Sequence, residues 1–476
     1  MRFDEALTFS DVLLVPRRSD IASRRQVDTT GRFCRRIALK TPIVSANMDT
    51  VTESEMAIAM AHVGGLGVIH RFLKIEEEVA EVARVKRAES IVIEQPYTLS
   101  PSDTVRDAKR MMRERGIGGI LVVGEGGRLA GVVTTRDVVF ERDEAKRLDK
   151  VMTRRLITAR PDVTPEEARR ILQEHEIEKL PLIDKAGQLK GLITAKDLLK
   201  NELYPNASKD SKGHLLVGAA VGVVGDCLER AQALLDAGAD ALVVDVAHGH
   251  SGHVLETVRR IKKSRPSAEV VAGNVATGEG ARDLLRAGAD GIKVGVGPGA
   301  TCSTRIVTGC GVPQVSAVMD CVRACRGAHV PVVADGGVRN SGDITKAMAA
   351  GASCVMLGSL LAGSEESPGY TTVRGGVKYK VFRGMASLGA AIGRRVKEHS
   401  AGPAAEDVAE VVPEGVESVV PYRGQVAEVV HQLAGGLRSG MSYCGARDLP
   451  ALWKNAKFVR ITPAGWSESK PHILER

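Results

Sequence analysis

The segment Lys293-Val-Gly-Val-Gly-Pro-Gly-Ala-Thr-Cys302-Ser-Thr-Arg305 sets a thiol, a hydroxyl and a guanidinium within a few residues of one another on a glycine-rich loop. A cysteine among Gly, Thr and Arg rather than apolar side chains is a candidate nucleophile, and Arg305 is near enough in sequence to favour the Cys302 thiolate. Gly295, Gly297 and Gly299 permit tight turns with inward carbonyls, which suits a monovalent cation on Gly297, Gly299 and Cys302, or a loop that moves. Ala334-Asp335-Gly336-Gly337 and Leu357-Gly358-Ser359 each end an apolar run with small residues whose backbone N–H groups can cradle a phosphate. Asp335 there suits a ribose diol, with an ordinary helix cap as the plainer reading. Asp245-Val-Ala-His248-Gly-His250-Ser ends another such run and is placed for a second ligand. Two histidines one residue apart, with no third ligand in sight, do not make a zinc site.

Loops of this kind need a frame that gathers strand ends. Short apolar runs at 42–45, 66–70, 215–219, 241–245, 269–272, 291–294, 330–334 and 354–357 read as eight buried strands. Helical patterns follow most of them, for example 227–237 and 280–287. Gly238, Gly288 and Gly351 stand where a helix stop requires positive φ. Eight helix, glycine and strand units predict an α/β fold, a closed (β/α)8 TIM barrel with its chemistry on the loops after the strands. An open doubly wound sheet is the competing arrangement.

Between the second and third runs the rhythm breaks and a repeat appears: Gly131-Val-Val-Thr134-Thr-Arg-Asp137 recurs as Gly191-Leu-Ile-Thr194-Ala-Lys-Asp197. The two copies resemble a tandem CBS domain, in which the late Asp grips the ribose of a regulatory purine nucleotide. Thr134, Asp137, Thr194 and Asp197 are the residues concerned, and Thr134 and Thr194 also suit simple helix capping. The expected organisation is a catalytic barrel over 1–93 and 208–476, with one repeat at 94–147 and the other at 148–205.

Composition narrows the classes. A chain of 476 residues exceeds one ordinary core, and 43% hydrophobic residues with 51 glycines and only 3% aromatics suit an α/β enzyme. The net charge of +8 is spread along the chain without a long basic run or interleaved aromatics, which argues against nucleic acid. No stretch is apolar enough for a membrane span and the start lacks a secretory pattern, so the expectation is a cytoplasmic enzyme. The eight cysteines form no CxxC pair, and most are expected to be reduced core thiols.

Gly297-Pro-Gly-x-x-Cys302-x-Thr304-Arg305, Ala334-Asp-Gly-Gly337, Met356-Leu-Gly-Ser359, Arg383-Gly-Met385 and the repeated insert together resemble the IMP dehydrogenase/GMP reductase family over nearly the whole chain. The resemblance implies that Cys302 bonds to C2 of GMP or IMP, with Gly337, Gly358 and Ser359 on the phosphate and Asp335 on the ribose. Gly384, Met385, Ser387 and Gly415 complete the implied nucleotide site, and Asp245, Gly295 and Gly297 the nicotinamide site. Potassium, a homotetramer and, in some members, an octamer are further implications. Where members often carry Glu-Ser-His for potassium, this chain has Glu468-Ser469-Lys470, whose ammonium either replaces the ion or points into water.

Members part at the fate of the covalent adduct. A dehydrogenase hydrolyses it with an Arg-Tyr pair on a flap, and the corresponding stretch 392–412 contains no such pair; Arg394 and Arg395 are poor substitutes. A reductase needs an acid to expel ammonia, which the family assigns to a Thr and a Glu matching Thr304 and Glu414. Segments such as Arg18-Ser-Asp-Ile-Ala-Ser-Arg24 and Phe382 before Arg383 look reductase-like, whereas the insert and Glu365-Glu-Ser-Pro look dehydrogenase-like. The expectation is NADPH-dependent reductive deamination of GMP to IMP and ammonia. The alternative is NAD-dependent oxidation of IMP to XMP, and a second alternative is a catalytically inactive nucleotide sensor.

Overall fold

Alternate residues along each apolar run face opposite sides of a strand, and here both sides are dry, so the runs pair in parallel and curl until the sheet has no edge. The computed structural model describes residues 4–89, 92–94, 96–196, 198, 203–390 and 412–470. Its barrel strands are β1 (Ile43–Ser45), β2 (Leu66–Ile69), β3 (Val217–Val221), β4 (Ala241–Asp245), β5 (Val270–Val275), β6 (Gly291–Val294), β7 (Val332–Asp335) and β8 (Cys354–Leu357). They close in sequence order, with β8 pairing β1 through Val355 and Ile43. The closed barrel, not the open sheet, is the fold.

One face of seven of the strands fills the cylinder: Val44, Leu66, Val68, Ala220, Val243, Val271, Val333 and Met356 form a single buried cluster. The opposite face, including Ile69, Leu242, Val244, Ile292 and Val355, packs on the outer helices. Those helices end on glycines as the sequence requires, with φ of 97° at Gly238, 103° at Gly288 and 109° at Gly351. The barrel's lower mouth is stoppered by a hairpin of Gly31–Arg32 and Ala38–Leu39. Its tip inserts Phe33, Cys34 and Ile37 into the interior cluster. Arg35 N–H donates to the Asp290 carbonyl just before β6, and Arg32 N–H to the Ser353 hydroxyl just before β8. Near the chain ends, Val12–Leu14 pairs antiparallel with Phe458–Arg460.

Residues Glu89–Pro205 and Ser211–His214 form a second compact unit. It contains the anticipated repeat: helices Val105–Arg115 and Pro165–Glu174 are each followed by an antiparallel pair, Gly119–Val123 with Leu129–Thr134 and Lys179–Ile183 with Leu189–Thr194. Thr104 and Thr164 cap the two helices by accepting from Asp107 N–H and Glu167 N–H. Each repeat has its own small core, and Leu121, Val132 and Leu192 bridge the two. Among the described residues no helix is long and apolar enough to cross a membrane.

Phe33 is fully buried at the stoppered mouth. Phe33→Ala should cost about 3–5 kcal/mol of unfolding free energy in urea titration, the usual range for emptying a large aromatic site. A loss under about 1 kcal/mol would mean that this ring does not seal the barrel.

Candidate active site

At the upper end of the barrel the inward-facing positions turn polar. Lys293, in the middle of β6, is buried among apolar walls and its ammonium lies 2.6 Å from Asp245 Oδ1 at the end of β4 and 2.7 Å from Asp335 Oδ2 at the end of β7. It also donates to Asn274 Oδ1, and Asn274 Nδ2 reaches Asp335 Oδ2 at 2.9 Å and the Gly295 carbonyl at 2.7 Å. Asn47, from the loop after β1, donates to Asp245 Oδ2 at 2.8 Å. Burial by itself raises the Asp245 carboxyl, but the adjacent Lys293 ammonium more than reverses this and leaves it below the usual carboxylate range. Burial likewise opposes charge on Lys293, and the two carboxylates override it, so the amine is held protonated well above its ordinary value.

The glycine loop rises directly from this layer. A side chain at Gly295 would strike the Asp335 carbonyl, and one at Gly336 would meet Pro298 and Gly299, so the loops after β6 and β7 lie backbone to backbone. Gly337 has φ 79°. Arg305 is tied inward, donating to the Val296 carbonyl at 3.2 Å and the Val312 carbonyl at 2.6 Å. The guanidinium expected beside Cys302 is instead engaged by these two loop carbonyls, which it braces.

Cys302 is exposed, in contrast to Cys34, Cys227, Cys321, Cys325, Cys354 and Cys444, which are buried as expected of core thiols; Cys310 is also exposed. The Cys302 thiol lies 3.2 Å from Thr304 Oγ1, and that hydroxyl donates to Glu414 Oε2 at 2.7 Å. Glu414 is brought from far along the chain by a short strap: Cys302 bridges Gly415, Ser303 N–H donates to the Glu414 carbonyl, and Val416 N–H to the Thr301 carbonyl. The strap in turn pairs with 384–387, where Gly384 N–H donates to Val416 and Glu414 N–H to Ala386. Gly384 and Gly415 are glycines because a Cβ on Gly384 would lie 3.0 Å from the Thr301 carbonyl and 3.3 Å from Gly415 Cα. Ser387 is buried and hydrogen-bonded to Glu417, and the Met385 sulfur accepts from Asp49 N–H. Gly358 opens the turn Ser359–Ala362 after β8, and a side chain there would press on the Met48 sulfur. Thus Cys302, Thr304, Glu414, Gly384, Met385, Ser387 and Gly415 form one cluster, and Asp245, Gly295, Gly297, Asp335, Gly337, Gly358 and Ser359 belong to strand ends of the same rim.

Beside Asp245, a cavity of about 270 Å³ is lined by Arg71, Gly222, Val223, Val224, Asp226, Arg230 and Val246, the loops after β2, β3 and β4. His250 pairs with Asp283 at 3.0 Å, a structural contact. Among the described residues no cluster of His, Cys, Asp and Glu is arranged to hold a metal. Lys470 lies 6.0 Å from the Trp466 ring centroid. In the second unit Asp137 Oδ2 accepts both the N–H and the hydroxyl of Thr134 at 2.7 Å. Thr194 ends its strand, and Asp197 lies outside the described residues, as does 392–411. Sequence reasoning gave no role to Lys293, Asn274, or the Arg383–Asp49 ion pair; a lysine inside an otherwise apolar strand was the available signal for the first.

Residues 6–472 match the domain described as IMP dehydrogenase / GMP reductase domain. The chain is 54% identical over 472 residues to an inosine-5'-monophosphate dehydrogenase of Nitrosopumilus maritimus, covering 99% of each. It is 50% identical over 474 residues to that of Bacillus subtilis, covering 99% of this chain and 96% of the relative. Among solved structures, a GMP reductase variant of Trypanosoma brucei in complex with guanosine 5'-monophosphate aligns with a TM-score of 0.90 at 44% identity, covering 99% of this chain and 98% of the other. The same organism's enzyme in complex with guanosine 5'-triphosphate aligns at 0.80 and 40%, covering 97% and 98%.

Lys293→Met keeps the bulk and removes the charge, which should cost about 3–5 kcal/mol near neutral pH by stranding two carboxylates. In the unmodified chain Asp245 is depressed, so its contribution to stability is present above the carboxylate range and is lost as pH falls. In the variant that ammonium is gone while burial remains, so the depression shrinks to what Asn47 and Arg71 still supply, and less stability is lost as pH falls. Unfolding curves of the two proteins should therefore converge between neutrality and about pH 4; a constant gap would mean that no carboxylate depends on this ammonium.

Proposed function

This chain belongs to the IMP dehydrogenase/GMP reductase family, and from that premise we propose that it moves hydride at C2 of a purine ribonucleotide bound covalently to Cys302, in the direction of IMP oxidation to XMP. The observation that carries the reading is the hydrogen-bonded row from the Cys302 thiol through Thr304 to Glu414. The exposed sulfur adds to C2, the loops after β7 and β8 take the phosphate through Gly337, Gly358 and Ser359, and Asp335 orients the ribose. A nicotinamide dinucleotide, NAD in this direction, accepts the hydride when bound. The cavity beside Asp245 suits such a ligand because the Arg71 guanidinium stands among Val and Gly walls, while Arg230 in the same lining is held by Asp226 and Glu78. Hydrolysis of the adduct then requires a base. Thr304 takes the proton of the attacking water and passes its own to Glu414, a role for which a 2.7 Å bond to a carboxylate equips it, and the thiolate leaves.

The direction is supported by the relatives named inosine-5'-monophosphate dehydrogenase at 54% and 50% identity. A reductase reading, GMP to IMP and ammonia with NADPH, is favoured by one specific observation: 392–412 has no Arg-Tyr pair to activate water. The T. brucei GMP reductase at 44% identity leans the same way. In that direction Glu414, through Thr304, supplies the proton that lets ammonia depart, so one relay serves either reaction. The proposal extends to a homotetramer in the cytoplasm and to a potassium ion on the carbonyls of Gly297, Gly299 and Cys302. The Gly299 carbonyl already accepts from Cys302 N–H, which leaves one lone pair for an ion. A purine nucleotide at the CBS-like repeats is proposed to use the second Asp137 oxygen, with Asp197 in the other copy.

Purified protein with IMP and NAD should generate reduced nicotinamide and XMP. Consumption of NADPH by GMP with release of ammonia would establish the reductase instead, and turnover of neither pair would leave a sensor. Cys302→Ala should lower turnover by about a thousandfold or more. Glu414→Gln should keep a rapid first burst of hydride transfer from IMP while slowing steady turnover by about 10²–10⁴-fold, the usual worth of a general base. Loss of the burst together with turnover would place Glu414 in the earlier step.

A further inference from the structure

Gln314 is fully buried at the first turn of the helix Gln314–Cys325, which follows the nucleophile loop after the short helix Thr304–Thr308. Its amide Nε2 donates to two main-chain carbonyls on different strands: Val294 at the end of β6, 2.8 Å away, and Asp335 at the end of β7, 3.0 Å away. Its Oε1 is buried with no hydrogen-bond partner. An unsatisfied buried oxygen is costly, so the residue is not explained by its own comfort. The two carbonyls it bridges begin the loops that carry Cys302 and Gly336-Gly337. The Gly295 and Asp335 backbones touch at the same point, where a Cβ on Gly295 would also meet Gln314 Nε2 at 3.1 Å.

We propose that Gln314 is a positioning residue that sets the separation of the loop bearing the nucleophile from the loop holding the nucleotide's ribose and phosphate. It rests on the reading of Cys302 and the Asp335–Gly337 loop given above. Neither loop can shift along its strand without breaking one of the two bonds. The side chain has no contact of its own with the reacting atoms; it acts through the backbone of Asp335 and Val294.

The test is protection of Cys302 from iodoacetamide by IMP and by GMP in the full-length protein, with melting temperature measured alongside. Gln314→Met matches the length and lacks both donors. It should leave the alkylation rate without nucleotide unchanged and raise the nucleotide concentration needed for half-protection by about tenfold or more, as expected for two lost hydrogen bonds to the binding frame. It should also raise KM for the nucleotide more than KM for the dinucleotide. Equal protection in variant and unmodified protein would overturn the staple. Failure of either nucleotide to protect the unmodified protein would overturn the site assignment itself. Gln314→Glu gives a second reading if the methionine variant does not fold. Its carboxylate repels both carbonyls, whereas its protonated form donates to one, so half-protection should improve as pH falls; a profile parallel to that of the unmodified protein would count against the proposal.

Discussion

A protonated amine enclosed by the barrel is the interaction on which the upper rim depends. Lys293 joins the ends of β4, β6 and β7 through Asp245 and Asp335, and Asn274 adds β5 to the same knot. Charges this poor in water are stable only as a matched set. The loops after β4, β6 and β7 leave the barrel within a residue or two of that set. The ion network therefore fixes where the strands stop being wall and start being site.

Above the network, position is handed on by backbone rather than by side chains. Glycines at 295, 336, 384 and 415 let main chains approach closely enough that loops brace one another, and Arg305 and Gln314 donate to main-chain carbonyls of the same loops. Only after that scaffold is complete do Cys302, Thr304 and Glu414 line up. Their row is chemically two-way: a carboxylate behind a hydroxyl can take a proton or return one, so the row is compatible with either direction of the proposed hydride flow.

Much of the fold was legible because buried strands and glycine stops leave strong patterns. The runs at 241–245, 291–294 and 354–357 coincide with β4, β6 and β8. The third apolar run starts two residues before β3, since Leu215 and Leu216 are apolar yet belong to the approach, where Leu216 N–H donates to the Ser208 carbonyl. The helix expected from 280 begins at Gly278 because the Thr277 hydroxyl accepts from Gly280 N–H. Cys302 stood out by its polar neighbours. Glu414 did not, and needed the family likeness, because it stands 110 residues from Thr304 and the short strap that delivers it carries no local periodicity. Arg305 misled for the opposite reason: nearness in sequence says nothing about which way a long side chain turns.

The inserted repeat has a bearing on how the barrel comes together. β2 and β3 pair through Val68 and Gly218, so that a ring of about 150 residues must close for a neighbouring pair of strands to meet. β3 to β8, by contrast, run without interruption and can zip along their crossovers. Collapse of the insert onto its own cores would shorten the slack chain before the seam forms, turning a long excursion into a short tether. The order in which this enzyme matures would then run from the six-stranded arc and the insert inward, with the β1–β2 pair arriving last to shut the cylinder.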